Sequence, residues 1–211
     1  MARARGFKDL VQGDLKQREF RAVYVLEGAD GYRIGSVVDS LRELALEGDA
    51  AFNSHVLHGD QASWQAVLQQ AQAISMFGGR QLVWLRQTDR VARDEDGEAA
   101  LRRSLASPVE STILVLSAEK LDRRRAWVKD AQKLGYLFVF EPPRGAELRE
   151  WARRAAAKAG LEIGGEALQT LCELVGSALQ ALSGEIQKLA LLTEASGRPP
   201  AILLVHGGPT S

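Results

Sequence analysis

The run "AVYVLEGADGYRIG", residues 22–35, is where an α/β protein would place phosphate chemistry: an apolar strand feeds a glycine-containing turn and then a helix. A phosphate loop needs the spacing G-x-x-x-x-G-K-[ST], in which backbone N–H groups wrap the phosphates, Lys reaches the terminal ones and the hydroxyl holds magnesium. Counted from Gly28, the second glycine, the lysine and the hydroxyl fall on Arg33, Ile34 and Gly35. Ile34 cannot neutralise a phosphate, and the glycines do not spell the dinucleotide fingerprint G-x-G-x-x-G either. The segment therefore reads as a degenerate phosphate loop that binds no nucleotide, a strand-to-helix turn with Asp30 as N-cap. Neither G-x-S-x-G nor H-E-x-x-H occurs. His55 and His58 stand three apart at a strand end, where side chains alternate between faces, so they read as surface or turn histidines and not as metal ligands. Cys172 shares an apolar helical stripe with Leu168, Leu171 and Val175, the setting of a buried small residue and not of a nucleophile. We expect no catalytic site, no metal and no cofactor.

Two other clusters are suited to binding. In "EKLDRRRAWVKDAQK", residues 119–133, Arg123, Arg124, Arg125, Lys129 and Lys133 gather on what the spacing predicts to be a helix. Glu119, Asp122 and Asp130 are interleaved with them, so a solvated face is the first reading and DNA-backbone contacts from Arg123, Arg124, Arg125 and Lys129 the second. In "AISMFGGRQ", residues 73–81, a Met-Phe pair stands where a polar turn would be expected. Extending the stripe of Trp64, Val67, Leu68 and Ala71 at 100° per residue keeps Ile74 near it and sends Met76 and Phe77 well away. Gly78 and Gly79 are expected to end the helix within a residue or two, leaving the pair on a surface loop.

The elements that must hold these residues follow from periodicity. Apolar runs at 22–26, 53–57, 81–85, 112–116 and 136–140 read as strands, and helix-spaced segments lie between them. Strands apolar on both faces, alternating with helices, predict a parallel sheet covered by helices, an α/β fold. After Pro142 and Pro143 the pattern to residue 195 is helical throughout, which suggests a boundary followed by a small bundle of three helices. The tail 196–211 has one five-residue apolar run, too short to found a domain. Acidic and basic residues balance at 27 each, so any nucleic-acid contact must be local. One cysteine, no apolar run near the ~18 residues of a membrane span and no apolar leader segment point to a reducing cytoplasm and away from membranes.

Four stretches carry a more specific signal: "AVYVLEGADGYRI", "FNSHVLHGDQASWQAVLQQAQAISMFGGRQLVWLRQTDRV", "STILVLSAEKLDRRRAWVK" and "GSALQALSGEIQKLALL". In order and spacing they resemble the delta subunit of the bacterial DNA polymerase III clamp loader, over most of residues 20–193. The resemblance implies an AAA+-like (RecA-like) P-loop NTPase fold over residues 1–141, a helical lid over 144–195, and no ATP hydrolysis. It also implies that Gln180 stands where ATP-binding relatives carry a phosphate-sensing Arg. Ile74, Ser75, Met76 and Phe77 match the hydrophobic wrench that enters a pocket on the sliding clamp (the beta subunit) and opens the ring. Implied partners are the clamp, the gamma/tau and delta prime subunits, and primer-template DNA through the complex. Family chains continue into a collar domain, which the tail at 196–211 does not resemble. Two competing readings are a nucleotide hydrolase with an atypical phosphate site and a stand-alone DNA-binding module using the basic segment.

Overall fold

Apolar runs with both faces hydrophobic become the strands of one parallel sheet, as expected when helices cover each side. The structure, a computed structural model, describes residues 5–46, 52–74 and 78–195. The chain divides into two units, Met1–Glu141 and Pro142–Ser211.

In the first unit the strands are β1 (Arg5–Gly6), β2 (Val23–Glu27), β3 (Ser54–His58), β4 (Gln81–Arg86), β5 (Thr112–Ala118) and β6 (Leu137–Val139). They lie in the order β1-β6-β2-β5-β4-β3, every pairing parallel. The helices are α1 (Phe7–Leu10), which runs on into a π-helical turn over Val11–Leu15, then α2 (Gly31–Ala45), α3 (Trp64–Gln72), α4 (Glu95–Ala106) and α5 (Ala126–Lys133). Alternation along the strands sorts the core into two layers. Val23 and Val25 of β2, with Leu114 and Leu116 of β5, face α3, α4 and α5 through Trp64, Leu101 and Trp127. Tyr24 and Leu26, with Ile113 and Val115, face α1 and α2 through Leu10, Val38 and Leu41. Trp64 and Trp127 meet edge to face at 5.7 Å, joining α3 to α5.

The second unit holds α6 (Gly145–Lys158), α7 (Gly165–Val175) and α8 (Leu179–Ala195). Its core is Leu148, Ala152, Ala156, Leu161, Leu168, Cys172, Leu179, Leu182 and Ile186. In α6 Leu148, Ala152 and Ala156 are buried, and Trp151 and Ala155 half-buried.

Three local expectations change. β1 has no apolar signal, because two residues whose contribution is backbone pairing to Phe138 and Val139 need none. Helix α5 begins at Ala126, so Arg123, Arg124 and Arg125 precede it; the Asp122 carboxylate accepts from the Arg124 N–H at 3.0 Å and sets a turn there instead. Helix α3 ends at Gln72, with Ala73 extended at ψ 140°, well before Gly78 and Gly79.

Candidate functional site

The Ser63 hydroxyl starts α3 by accepting from the Ala66 N–H at 3.2 Å, and Trp64, Val67, Leu68 and Ala71 bury its inner face. The early end of α3 has a cause across the sheet. The last carbonyls of a helix have no partner within it. Here the side-chain amide of Gln81, the first residue of β4, donates to the Ala73 carbonyl at 2.6 Å and to the Thr112 hydroxyl at 3.0 Å. That hydroxyl donates in turn to the Ala71 carbonyl at 2.8 Å. Gln81 and Thr112 are 3% and 2% exposed. The chain beyond Ala73 leaves the core, and Ile74 is 92% exposed instead of staying beside the α3 stripe. Ser75, Met76 and Phe77 lie outside the described residues. On the far side Gly78 and Gly79 take left-handed φ of 72° and 74°. The Asn53 amide donates to the Gly78 carbonyl at 3.3 Å from a buried position. Both stems of the segment around Ile74 are thus pinned by buried amides.

The turn after β2 is built for packing. Asp30 caps α2 by accepting from the Arg33 N–H at 3.0 Å, as its position predicts, and its carboxylate lies 3.4 Å from the Arg33 guanidinium. Burial pushes the Asp30 pKa up, against the pull of the Arg33 N–H and charge. Arg33 is itself buried: its guanidinium stacks over the Phe7 ring at 4.6 Å and donates to the Glu141 carbonyl at 3.3 Å. Ile34 joins the core layer under α2, and Gly35 is half-buried. Gly28 is fixed by contact, since a Cβ there would sit 2.3 Å from the Phe140 carbonyl oxygen. The cleft at the strand ends, lined by Gly28, Gly31, Trp84, Arg86 and Glu119, holds about 210 Å³. Small-molecule sites run to roughly 300–1,000 Å³.

Each arginine of the basic segment has a carboxylate. Arg123 pairs with Glu27, Arg124 with Asp122 at 3.0 Å, and Arg125 with Glu98 at 2.5 Å while also lying over the Trp127 ring. Lys129 is exposed and forms no ion pair among the described residues. Arg123 and Arg124 are solvent-facing, where ion pairs are weak and exchange readily for other anions. No group of three or more His, Cys, Asp or Glu among the described residues could hold a metal ion. Burial raises the Cys172 pKa, which keeps the thiol protonated and inert.

The model of the family described as DNA polymerase III, delta subunit, matches residues 24–141, from β2 to the end of the first unit. The chain belongs to that family. As a delta-family chain it is 25% identical to the DNA polymerase III subunit delta of Escherichia coli over 181 residues, 82% of this chain and 51% of that protein. It spans about half the length of the curated relatives it matches. A solved Bacillus subtilis DNA clamp loader delta protein is 26% identical with a TM-score of 0.64, covering 92% of this chain and 59% of that one. A Thermotoga maritima RuvB structure superposes with a TM-score of 0.62 at 13% identity, over 93% of this chain and 64% of that one, a likeness of fold alone. The delta-family sheet is therefore of the AAA+-like α/β class: the alternating pattern predicted the α/β sheet and the resemblance implied its AAA+-like kind. No helix among the described residues is long and apolar enough to cross a membrane.

Gln81, Thr112 and Asn53 drew no attention in the sequence. The only signal is a polar residue at or just before the start of β3, β4 and β5, and which carbonyls those side chains reach depends on strand order. The structure brings Gln81 and Thr112 together across β4 and β5, whereas Arg123 to Lys129 form a separate surface near Glu27 and Glu98.

Proposed function

We propose that this chain is a non-catalytic clamp-loader subunit in DNA replication that binds the sliding clamp through Ile74, Ser75, Met76 and Phe77 and opens its ring. Residues 1–141 are the AAA+-like unit carrying the clamp-binding loop, and α6 to α8 are the lid. It works beside the gamma/tau and delta prime subunits. Primer-template DNA is met through that complex, with Arg123, Arg124, Arg125 and Lys129 as backbone contacts. The observation that carries this reading is Ile74, 92% exposed on a segment held at both ends by buried amides. Burying one such side chain contributes roughly 1.5–3 kcal/mol, the size of an interface anchor. Family membership supports the partner. The turn after β2 supports the absence of ATP chemistry, because Arg33 and Ile34 face inward at the positions that would grip phosphate.

The experiment is a titration of the immobilised sliding clamp from the same organism with the 211-residue chain, with and without ATP and magnesium. Saturable binding indifferent to nucleotide is expected. No saturable binding, or binding that requires ATP, would overturn the proposal.

A further inference from the structure

We infer that Gln81 and Thr112 are positioning residues for clamp binding, holding the stem from which the clamp-contacting side chains project; this rests on the function proposed above. Helix α3 supplies a rigid base through Trp64 and Val67, both fully buried. Its direction beyond Gln72 is then decided by where the Ala71 and Ala73 carbonyls find donors. The Gln81 amide reaches the Ala73 carbonyl at 2.6 Å, and the Thr112 hydroxyl, accepting from the same amide at 3.0 Å, reaches the Ala71 carbonyl at 2.8 Å. The two bonds of the Thr112 hydroxyl are buried and that of the Gln81 amide to the Ala73 carbonyl is part-buried, so an Ala71 carbonyl that lost the hydroxyl could not rebond to solvent in place. Relief would come by the stem moving outward.

The relay links consecutive strands. Gln81 and Thr112 are register partners across β4 and β5, so the amide and hydroxyl are set side by side by the sheet itself. The stem is thereby referenced to the paired strands β4 and β5 and not to the loop. An anchor gains affinity when it is held in its bound geometry before contact, because less ordering entropy is lost on binding. The buried amide and hydroxyl are suited to this, whereas an apolar pair at 81 and 112 would fill the same space with no hold on the stem.

The test separates positioning from core packing through two substitutions at one site. Thr112→Val keeps the shape and removes the hydroxyl; Thr112→Ser keeps the hydroxyl and removes a buried methyl. For the full chain we expect Thr112→Val to weaken binding to the immobilised clamp about fivefold to tenfold and to speed amide hydrogen exchange in residues 72–80 while β2 and β5 stay protected. Thr112→Ser should bind like the parent even where its melting temperature is the lower of the two. Gln81→Met, which removes the donors at similar volume, should follow Thr112→Val. If Thr112→Ser loses as much affinity as Thr112→Val, the site acts through packing and the inference fails. It fails equally if the parent binds and Thr112→Val binds as tightly. Failure of the parent itself to bind the clamp brings down the proposed function and this inference with it, so the two failures are distinguishable.

Discussion

Ile74 and Arg33 show how poorly side-chain type predicts burial in this chain: the isoleucine is 92% exposed and the arginine 5%. Ile74 lies beyond the end of α3, exposed where the chain leaves the core. Replacing Met76 and Phe77 together with Ala should weaken clamp binding by roughly 3 kcal/mol, about a hundredfold, and leave the melting temperature almost unchanged. Calorimetry of binding and of unfolding on the same variant checks both halves, and an early melt would assign the pair to the core. Asp122 gives a prediction in pH. Hydrogen bonds from the Arg124 guanidinium and N–H, with Arg93 nearby, hold its carboxyl down to about 2. A carboxylate whose pKa falls on folding stabilises the folded turn above its unfolded pKa of ~3.9 and loses that contribution as pH drops towards 2. Carboxyl-carbon NMR should therefore place the Asp122 midpoint near 2. In Arg124→Ala that midpoint should rise towards the ordinary range, and an unmoved one would remove Arg124 as the cause. The Asp30 cap was legible because capping is decided within three residues. The burial of Arg33 was not, because Phe7 and Glu141 lie 26 residues before it and 108 after it.

At the scale of elements, the central strands were readable because each is apolar on both faces, which few other structures require. The end of α3 was misjudged for a physical reason: glycine offers a way to stop, but Gln81 and Thr112 stop the helix earlier by taking its carbonyls. The start of α5 was misjudged in the same way, since Asp122 offers the backbone of Arg124 a side-chain partner. Gly28 marks where β2 passes closest to the end of β6. Gly28→Ala would drive a Cβ to 2.3 Å from the Phe140 carbonyl oxygen, which is backbone and cannot rotate aside. The expected loss is about 1–3 kcal/mol, read as a lower denaturant midpoint at unchanged slope. A neutral result would mean that β6 shifts freely at that point, contrary to its pairing on both sides with β1 and β2.

The whole molecule is two units whose cores are separate in sequence: Leu10 to Phe140 in the first, Leu148 to Ile186 in the second. Along the sequence the pattern changes from alternating to purely helical near Pro142. Titration calorimetry with ATP or ADP should give no saturable heat for the full chain, since the turn after β2 offers phosphate neither a lysine nor an open pocket of sufficient size. Micromolar binding would revive the hydrolase reading. The same turn should also resist restoration. The double substitution Ile34→Lys with Gly35→Thr restores two letters of the phosphate motif, yet it should still bind no ATP, because Arg33 remains clasped by Asp30, Phe7 and Glu141. Setting an ammonium in the buried place of Ile34 also lowers stability before any phosphate is gained. On that expectation the turn behaves as a ratchet: a first single change towards the phosphate motif lowers stability before it brings any phosphate contact, and only several changes made together would re-arm it.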